Sequence, residues 1–173
     1  MRLWRRLFWV VLRALCQKDY YPVTAESVLR FRVLPWDCVW RFVGNDRYHA
    51  FMDLSRIDII VRTGWWRVVL KNRWAPFVRM ADIRFRAPLG MFQKFTLRTR
   101  IIYWDEYGFW LEHIFESKGR VVASAISRNV TRKSRALVTT TEALRSIHNV
   151  VPKPPCSEKV RATTMLEELL RRR

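Results

Sequence analysis

Two different spacings of apolar residues divide this chain. From Asn45 to about Thr63 they recur at three- and four-residue steps: Phe51, Leu54, Ile57 and Val61 form a stripe, widened by Met52 and Ile60. That spacing predicts one long amphipathic helix with a broad buried face. Asn45 or Asp46 can cap its first turn, and Gly64 stands where a left-handed C-terminal cap would sit. From Trp74 the period falls to two. Phe95, Leu97, Thr99 and Ile101 alternate with Thr96, Arg98, Arg100 and Ile102. Ile83, Phe85 and Ala87 alternate with Arg84 and Arg86, Tyr107, Phe109 and Leu111 with Trp110 and Glu112, and Val121, Ala123 and Ala125 with Ser124, Ile126 and Arg128. These read as antiparallel strands with one apolar and one polar face. Tyr103–Gly108 and Glu116–Gly119 are their hairpin connections. Ser27–Leu34 reads as an earlier strand ended by Pro35, and Trp65–Asn72 as a short helix whose Trp65-Trp66 pair fills core or interface.

The two ends follow other patterns. Residues 1–18 contain Arg2, Arg5, Arg6, Arg13 and Lys18 and no acid. On a helical wheel the four arginines share a sector of roughly 100°. Apolar residues fill the rest, apart from Trp9 within the arginine sector. Such a start is similar to a mitochondrial targeting segment, and it equally suits a helix lying in a membrane interface or one docked on its own domain. The expectation is a retained signal that doubles as a membrane- or partner-docking helix, residues 1–20. After a domain over residues 24–148, Thr141–His148 predicts a short helix capped by Thr140 or Thr141. Residues 149–173 then form a Pro-rich linker and a terminal helix, expected to reach for a neighbouring subunit.

Charge changes the picture of the surface. The 173 residues hold 33 Lys+Arg against 15 Asp+Glu, a net +18, so the partners are expected to be negative: nucleic acid, an anionic membrane or acidic subunits. Nine Trp add residues that anchor interfaces. Arg84, Arg86, Arg98, Arg100 and Arg128 share the polar strand face, and with Arg2, Arg5, Arg6 and Arg13 they are the candidate docking residues. Half the residues are hydrophobic, which excludes a disordered chain, and no apolar run is long enough to span a bilayer as a helix. Cys16, Cys38 and Cys156 are far apart and form no metal spacing; they read as reduced thiols. His49, His113 and His148 are isolated, and nothing implies a metal or cofactor.

Asn45, Arg47-Tyr48 and Met52-Asp53-Leu54-Ser55-Arg56 resemble the start of the central helix in hot-dog-fold acyl-CoA thioesterases of the thioesterase-like superfamily. That family typically reads Asp-Cys-Asp-x-x-Gly-His-x-Asn-Asn-x-Arg-Tyr, then Met-Asp-Leu-Gly-Arg. The stretch from Ile83 to Glu106 is similar to the strand pair that follows, and the resemblance spans about Val28 to Arg132. It implies an α+β hot-dog fold, an antiparallel sheet wrapped around a central helix, and a homo- or heterodimer. Against the family pattern, Val39 stands at the catalytic Asp and Phe42 at the His, and Gly44 replaces the first Asn, beside Asn45. A valine cannot take a proton or orient a water. Asp53 is an alternative acid, although pairing with Arg56 at i,i+3 gives it a structural role.

The leading expectation is therefore a non-catalytic thioesterase-like subunit of a large mitochondrial assembly. The amphipathic start favours an inner-membrane respiratory complex, and the charge allows the mitochondrial ribosome with its rRNA. The alternatives are an active acyl-CoA thioesterase and an acyl-CoA binder.

Overall fold

The computed structural model describes residues 3–16, 20–146 and 152–171. The predicted long helix is α2 (Asn45–Arg62), set against one face of a curled antiparallel sheet. The sheet order is β1 (Ser27–Arg32), β5 (Lys94–Trp104), β6 (Gly108–Ser117), β7 (Arg120–Lys133) and β4 (Trp74–Phe85), with β8 (Ala136–Leu137) pairing the end of β7. This is the α+β hot-dog arrangement, with helices added at both ends. Strand β4 is an edge strand, so Pro76 leaves no central ladder bond unmade. Lys118 and Gly119 both have positive φ (50° and 71°), which suits the tight right-twisted hairpin joining β6 to β7.

The alternation sorts residues onto faces as read from the chain. Leu97, Phe115 and Ala123 form one cross-strand row facing α2, and Thr99, His113 and Ala125 form the next. Phe51 packs against Phe95 with ring centroids 5.0 Å apart, and Tyr48 against Phe115 at 5.1 Å. A second cluster surrounds the other half of α2: Ile59, Trp74, Ile101, Trp104, Phe109 and Leu111, with Trp65 of α3 (Trp65–Lys71) packed on it.

Helix α2 ends where expected. Gly64 has φ +76°, and the Thr63 N–H still reaches the Ile59 carbonyl. A Cβ at Gly64 would stand 2.7 Å from the Tyr20 ring. Gly64→Ala is therefore expected to cost about 1–3 kcal/mol in urea denaturation. A variant as stable as the parent would show that this turn bears no strain. The helix start differs from expectation: the N-cap is Gly44, without a side-chain bond from Asn45 or Asp46. A Cβ at Gly44 would meet Asp46 Oδ1 at 2.6 Å and Val39 at 3.1 Å, so close approach, rather than a positive φ, favours glycine here.

Further corrections concern the ends. Helix α4 (Thr140–Arg145) is capped one residue earlier than predicted, by Thr139, whose hydroxyl accepts from the Glu142 N–H; the Thr140 hydroxyl instead donates to the Asp105 carbonyl at 2.6 Å. The predicted end of that helix at His148, and the start of the linker, lie outside the described residues. Helix α5 (Glu158–Arg171) does not point away but lies on the outer face of the sheet. Val160 is buried there, Lys159 Nζ donates to Glu112 at 2.7 Å, and Glu167 pairs with Arg128 at 3.0 Å and Arg79 at 3.1 Å. This cover explains why Trp110 and Glu112, placed on the polar face by their parity, are only 1% and 6% exposed. Burial pushes the Glu112 carboxyl up, but hydrogen bonds and charge from Lys159 and Arg100 outweigh it and hold the group below its ordinary range.

The same packing qualifies the basic face. Arg98 is paired with Glu26 and Glu116, Arg100 with Glu112, and Arg128 with Asp105 and Glu167 while stacked on Trp110. Arg84 and Arg86 are exposed. Three of the five candidate docking arginines on the sheet are thus engaged by acids of their own chain.

Helix α1 (Leu3–Leu15) divides its apolar residues between two sides. Val10 and Ala14 are buried against the domain, whereas Trp4, Phe8, Trp9, Leu12 and Leu15 are exposed. Arg6, grouped with the docking arginines, turns inward: it bonds Asp37 at 2.7 Å and lies over the Phe51 ring at 5.0 Å. Arg5 and Arg13 are exposed, and Arg2 lies outside the described residues.

Candidate functional site

The loop before α2 lays most of its side chains on the surface. It runs through a 3-10 turn (Pro35–Asp37) into a small ribbon, β2 (Cys38–Val39) and β3 (Phe42–Val43). Val39 is 67% exposed and Phe42 is 50% exposed. Asn45 is also exposed, and Asp46 pairs with the neighbouring Arg47 at 3.3 Å. Asp37 is buried, held by Arg6 and by the Leu34 N–H. The sequence-predicted mouth residues Val39, Phe42 and Asn45 therefore lie on the surface, while Gly44 is buried.

The cavity lies farther along α2. It measures about 400 Å³ between the helix flank and strands β4 to β7, and its walls are mainly apolar, including Ile57, Ile60, Val78, Ile101 and Leu111. Its polar groups are Asp53, Arg56, Thr63, Asn129 and Thr131. The sequence held a partial signal for this. Ile57 and Ile60 make the apolar stripe wider than one buried face requires, and both are only half-buried. Asp53, singled out as the alternative acid, does line the cavity. Its carboxylate is 58% exposed and accepts from Arg56 Nη1, the i,i+3 pairing anticipated from the spacing.

Beside the cavity runs a buried polar chain that the reading by motif missed. Asn129 Nδ2 donates to Ser127 Oγ at 3.0 Å, and Ser127 lies 2.9 Å from His113 Nε2. On the other side, His113 Nδ1 lies 3.0 Å from Thr99 Oγ1, which donates to Ser55 Oγ at 2.9 Å; Ser55 donates to the Met52 carbonyl at 2.8 Å. Each hydroxyl has one proton to give. Thr99 gives its own to Ser55, so it accepts from Nδ1–H, and Nε2 accepts from Ser127. This assignment follows from the network and requires a neutral imidazole. Burial, reinforced by the positive charge of Arg56, pushes the His113 pKa well below its ordinary value. Parity was the available signal, since His113 shares the inward side of β6 with Phe109 and Leu111.

With its side chain only 10% exposed, Arg56 is itself unusual. Burial lowers its pKa, and Asp53 offsets part of that shift. Its Nε and Nη2 are buried and meet no acceptor among the described residues. The arrangement can hold an apolar chain, with the Asp53–Arg56 pair among the polar groups that line the cavity. Among the described residues there is no group of three or more His, Cys, Asp or Glu placed to hold a metal ion.

Comparison with known proteins adds the following. The sequence model of the thioesterase-like superfamily matches residues 33–171. Protein THEM6 of Danio rerio is 35% identical over 133 residues, 75% of this chain and 66% of that protein. A probable thioesterase of Saccharomyces cerevisiae is 26% identical, covering 74% of this chain and 57% of its own length. The chain thus spans less than two thirds of these relatives. Among solved structures, a gentisyl-coenzyme A thioesterase superposes with a TM-score of 0.63 at 25% identity, over 69% of this chain and 99% of that one.

Proposed function

Because the chain belongs to the thioesterase-like superfamily, we propose that it binds an acyl group, delivered as a coenzyme A thioester, and holds it without hydrolysis. The single observation that carries this reading is the apolar cavity of about 400 Å³ with a polar rim on α2. An acyl chain is the ligand such walls fit, and the thioesterases the chain resembles act on acyl thioesters. The lack of hydrolysis rests on reading Val39, exposed on the ribbon, as the counterpart of the acid in the family motif. In the same proposal the protein works as a hot-dog dimer, homo- or heteromeric, through the open β4 edge, where Phe77 and Phe85 are 40% and 46% exposed.

Titrating the full chain with acyl-CoAs of graded length, followed by Trp fluorescence, is expected to give saturable binding without release of free CoA above the protein-free rate. The absence of saturable binding to any acyl-CoA would overturn the reading. A second reading, an active thioesterase, is favoured by the carboxylate of Asp53 at the cavity rim. Turnover that disappears in Asp53→Asn would establish it.

The surface carries a separate part of the proposal: a structural role in a large mitochondrial assembly at the inner membrane, or on the ribosome through rRNA. It is supported by the exposed apolar side of α1, flanked by Arg5 and Arg13, and by the net charge of +18. No helix of the described residues is long and apolar enough to cross a membrane. Sedimentation from mitochondrial lysates is expected to place the protein in a large particle sensitive to detergent, or to RNase if the ribosome holds it. A free small dimer would refute this part.

A further inference from the structure

Helix α1 meets the domain along one side only. Arg6, held by Asp37, and the buried Val10 and Ala14 mark that side, with Leu7 packed against the same core. At about 100° per residue, Trp4, Phe8, Leu12 and Leu15 fall in a second sector of roughly 80°, turned away from the domain. All four are exposed, Trp4 by 72% and Phe8 by 64%. Single exposed apolar residues are ordinary, but four at helical spacing make a continuous stripe, and a stripe of that kind marks an interaction site. Arg5, Trp9 and Arg13 run along one border of it, and both arginines are exposed. The helix holds no acid.

We infer that α1 lies in the surface of an anionic phospholipid bilayer, parallel to its plane, with Trp4, Phe8, Leu12 and Leu15 among the acyl chains and Arg5 and Arg13 at the headgroup phosphates. This deepens the membrane part of the proposed function and rests on it, but it needs no assembly. Shape favours lipid over a protein partner. The stripe is the convex flank of a helix with large side chains standing out from it, and a fluid bilayer takes up such a flank without a matching groove. Charge favours it too. A basic border on an acid-free helix complements anionic headgroups, and arginine stems can reach them while covering apolar surface. The Trp9 ring, between the two arginines on that border, suits headgroup level, where one end is apolar and the other wet. The orientation follows from the docking of α1. Arg6, Val10 and Ala14 tie the helix to the domain along its length, so it cannot be threaded through the bilayer and sinks only sideways, by about 5–10 Å.

The test is co-sedimentation of the full chain with vesicles of phosphatidylcholine alone and of phosphatidylcholine mixed with phosphatidylglycerol. The parent is expected to bind the mixed vesicles about tenfold or more tighter. Trp4→Ser with Phe8→Ser is expected to weaken that binding about a hundredfold, because two large apolar side chains no longer leave water. Arg5→Gln with Arg13→Gln is expected to cost about twentyfold on the mixed vesicles and to leave phosphatidylcholine binding unchanged. The control is Lys133→Gln with Arg135→Gln. Both residues are exposed at the turn between β7 and β8, across the sheet from β1, whose Arg32 carbonyl Arg6 reaches. This pair removes the same charge and is expected to change binding by less than about twofold. Adsorption of a +18 chain by charge alone would weaken equally with either cationic pair and ignore Trp4 and Phe8, and that result overturns the inference. So does a parent that binds neither vesicle, or a parent dimer that vesicles leave untouched and Trp4→Ser with Phe8→Ser dissociates, which would give the face to a second copy. A large particle in lysates without vesicle binding would leave the assembly standing and overturn the inference, whereas vesicle binding by a free small dimer would do the reverse. Thermal melting checks that the variants are folded, and Leu12→Gln with Leu15→Gln, from the other half of the stripe, replaces the first pair if it is not.

Discussion

Arg6→Ala is expected to destabilise the protein by about 3–5 kcal/mol, the cost of removing one partner from a buried ion pair. Asp37 is 3% exposed and has two kinds of partner: the Arg6 guanidinium and the Leu34 N–H. The backbone bond alone does not neutralise it. Arg6 also donates to the Arg32 carbonyl and lies over Phe31 and Phe51, so its removal uncovers core aromatics and loosens α1 from the domain. Urea denaturation of the variant measures the loss. The double variant Arg6→Ala, Asp37→Ala is expected to be less destabilised than the two single costs added together, because no buried charge is then stranded. A loss below about 1 kcal/mol in Arg6→Ala would mean that α1 docks without this pair.

Acidification is expected to destabilise the fold through His113. The group is fully buried and neutral in the folded state, with a pKa well below the ordinary 6.5 it regains on unfolding. Between those two values the unfolded chain binds a proton that the folded chain refuses. Its contribution is therefore fully present above pH 6.5 and is lost as pH falls through that value, until the folded pKa is reached. The slope approaches about 1.4 kcal/mol per pH unit within that window. Glu112 and Asp105, both held below their ordinary values by cationic partners despite burial, add losses of the same sign at lower pH. His113→Gln keeps hydrogen-bonding capacity and removes the titration, so its stability below pH 6.5 should decline less steeply than the parent's. Parallel curves for the two proteins would show that His113 does not titrate in this range.

Parity and period carried most of the architecture. The helical stripe from Phe51 to Val61 located α2, Gly64 located its end, and the alternation in β5 and β6 placed Thr99 and Leu111 on the inner side. Local signals served less well where the choice depended on neighbours distant in sequence. The cap of α4 fell to Thr139 because Asp105 engages the Thr140 hydroxyl. Arg6 left the arginine sector of its helix because Asp37, buried and acidic, lies beneath it. The candidate site was the least legible part. Ser55, Thr99 and His113 are far apart in sequence, and no spacing motif joins them. The cavity needs four strands and one helix flank to exist at all.

By itself, then, the chain determined which residues form elements and which side of each is apolar, because those properties depend on steric periods within a few residues. It also determined an unusual net positive charge. Only the tertiary structure decided which of those charges face the solvent. Arg98, Arg100 and Arg128 meet acids brought from other strands, the loops and α5, and the Arg56 guanidinium is almost entirely buried beside Asp53. Electrostatic partnership depends on distance in space, and a strand pattern of period two does not encode that distance.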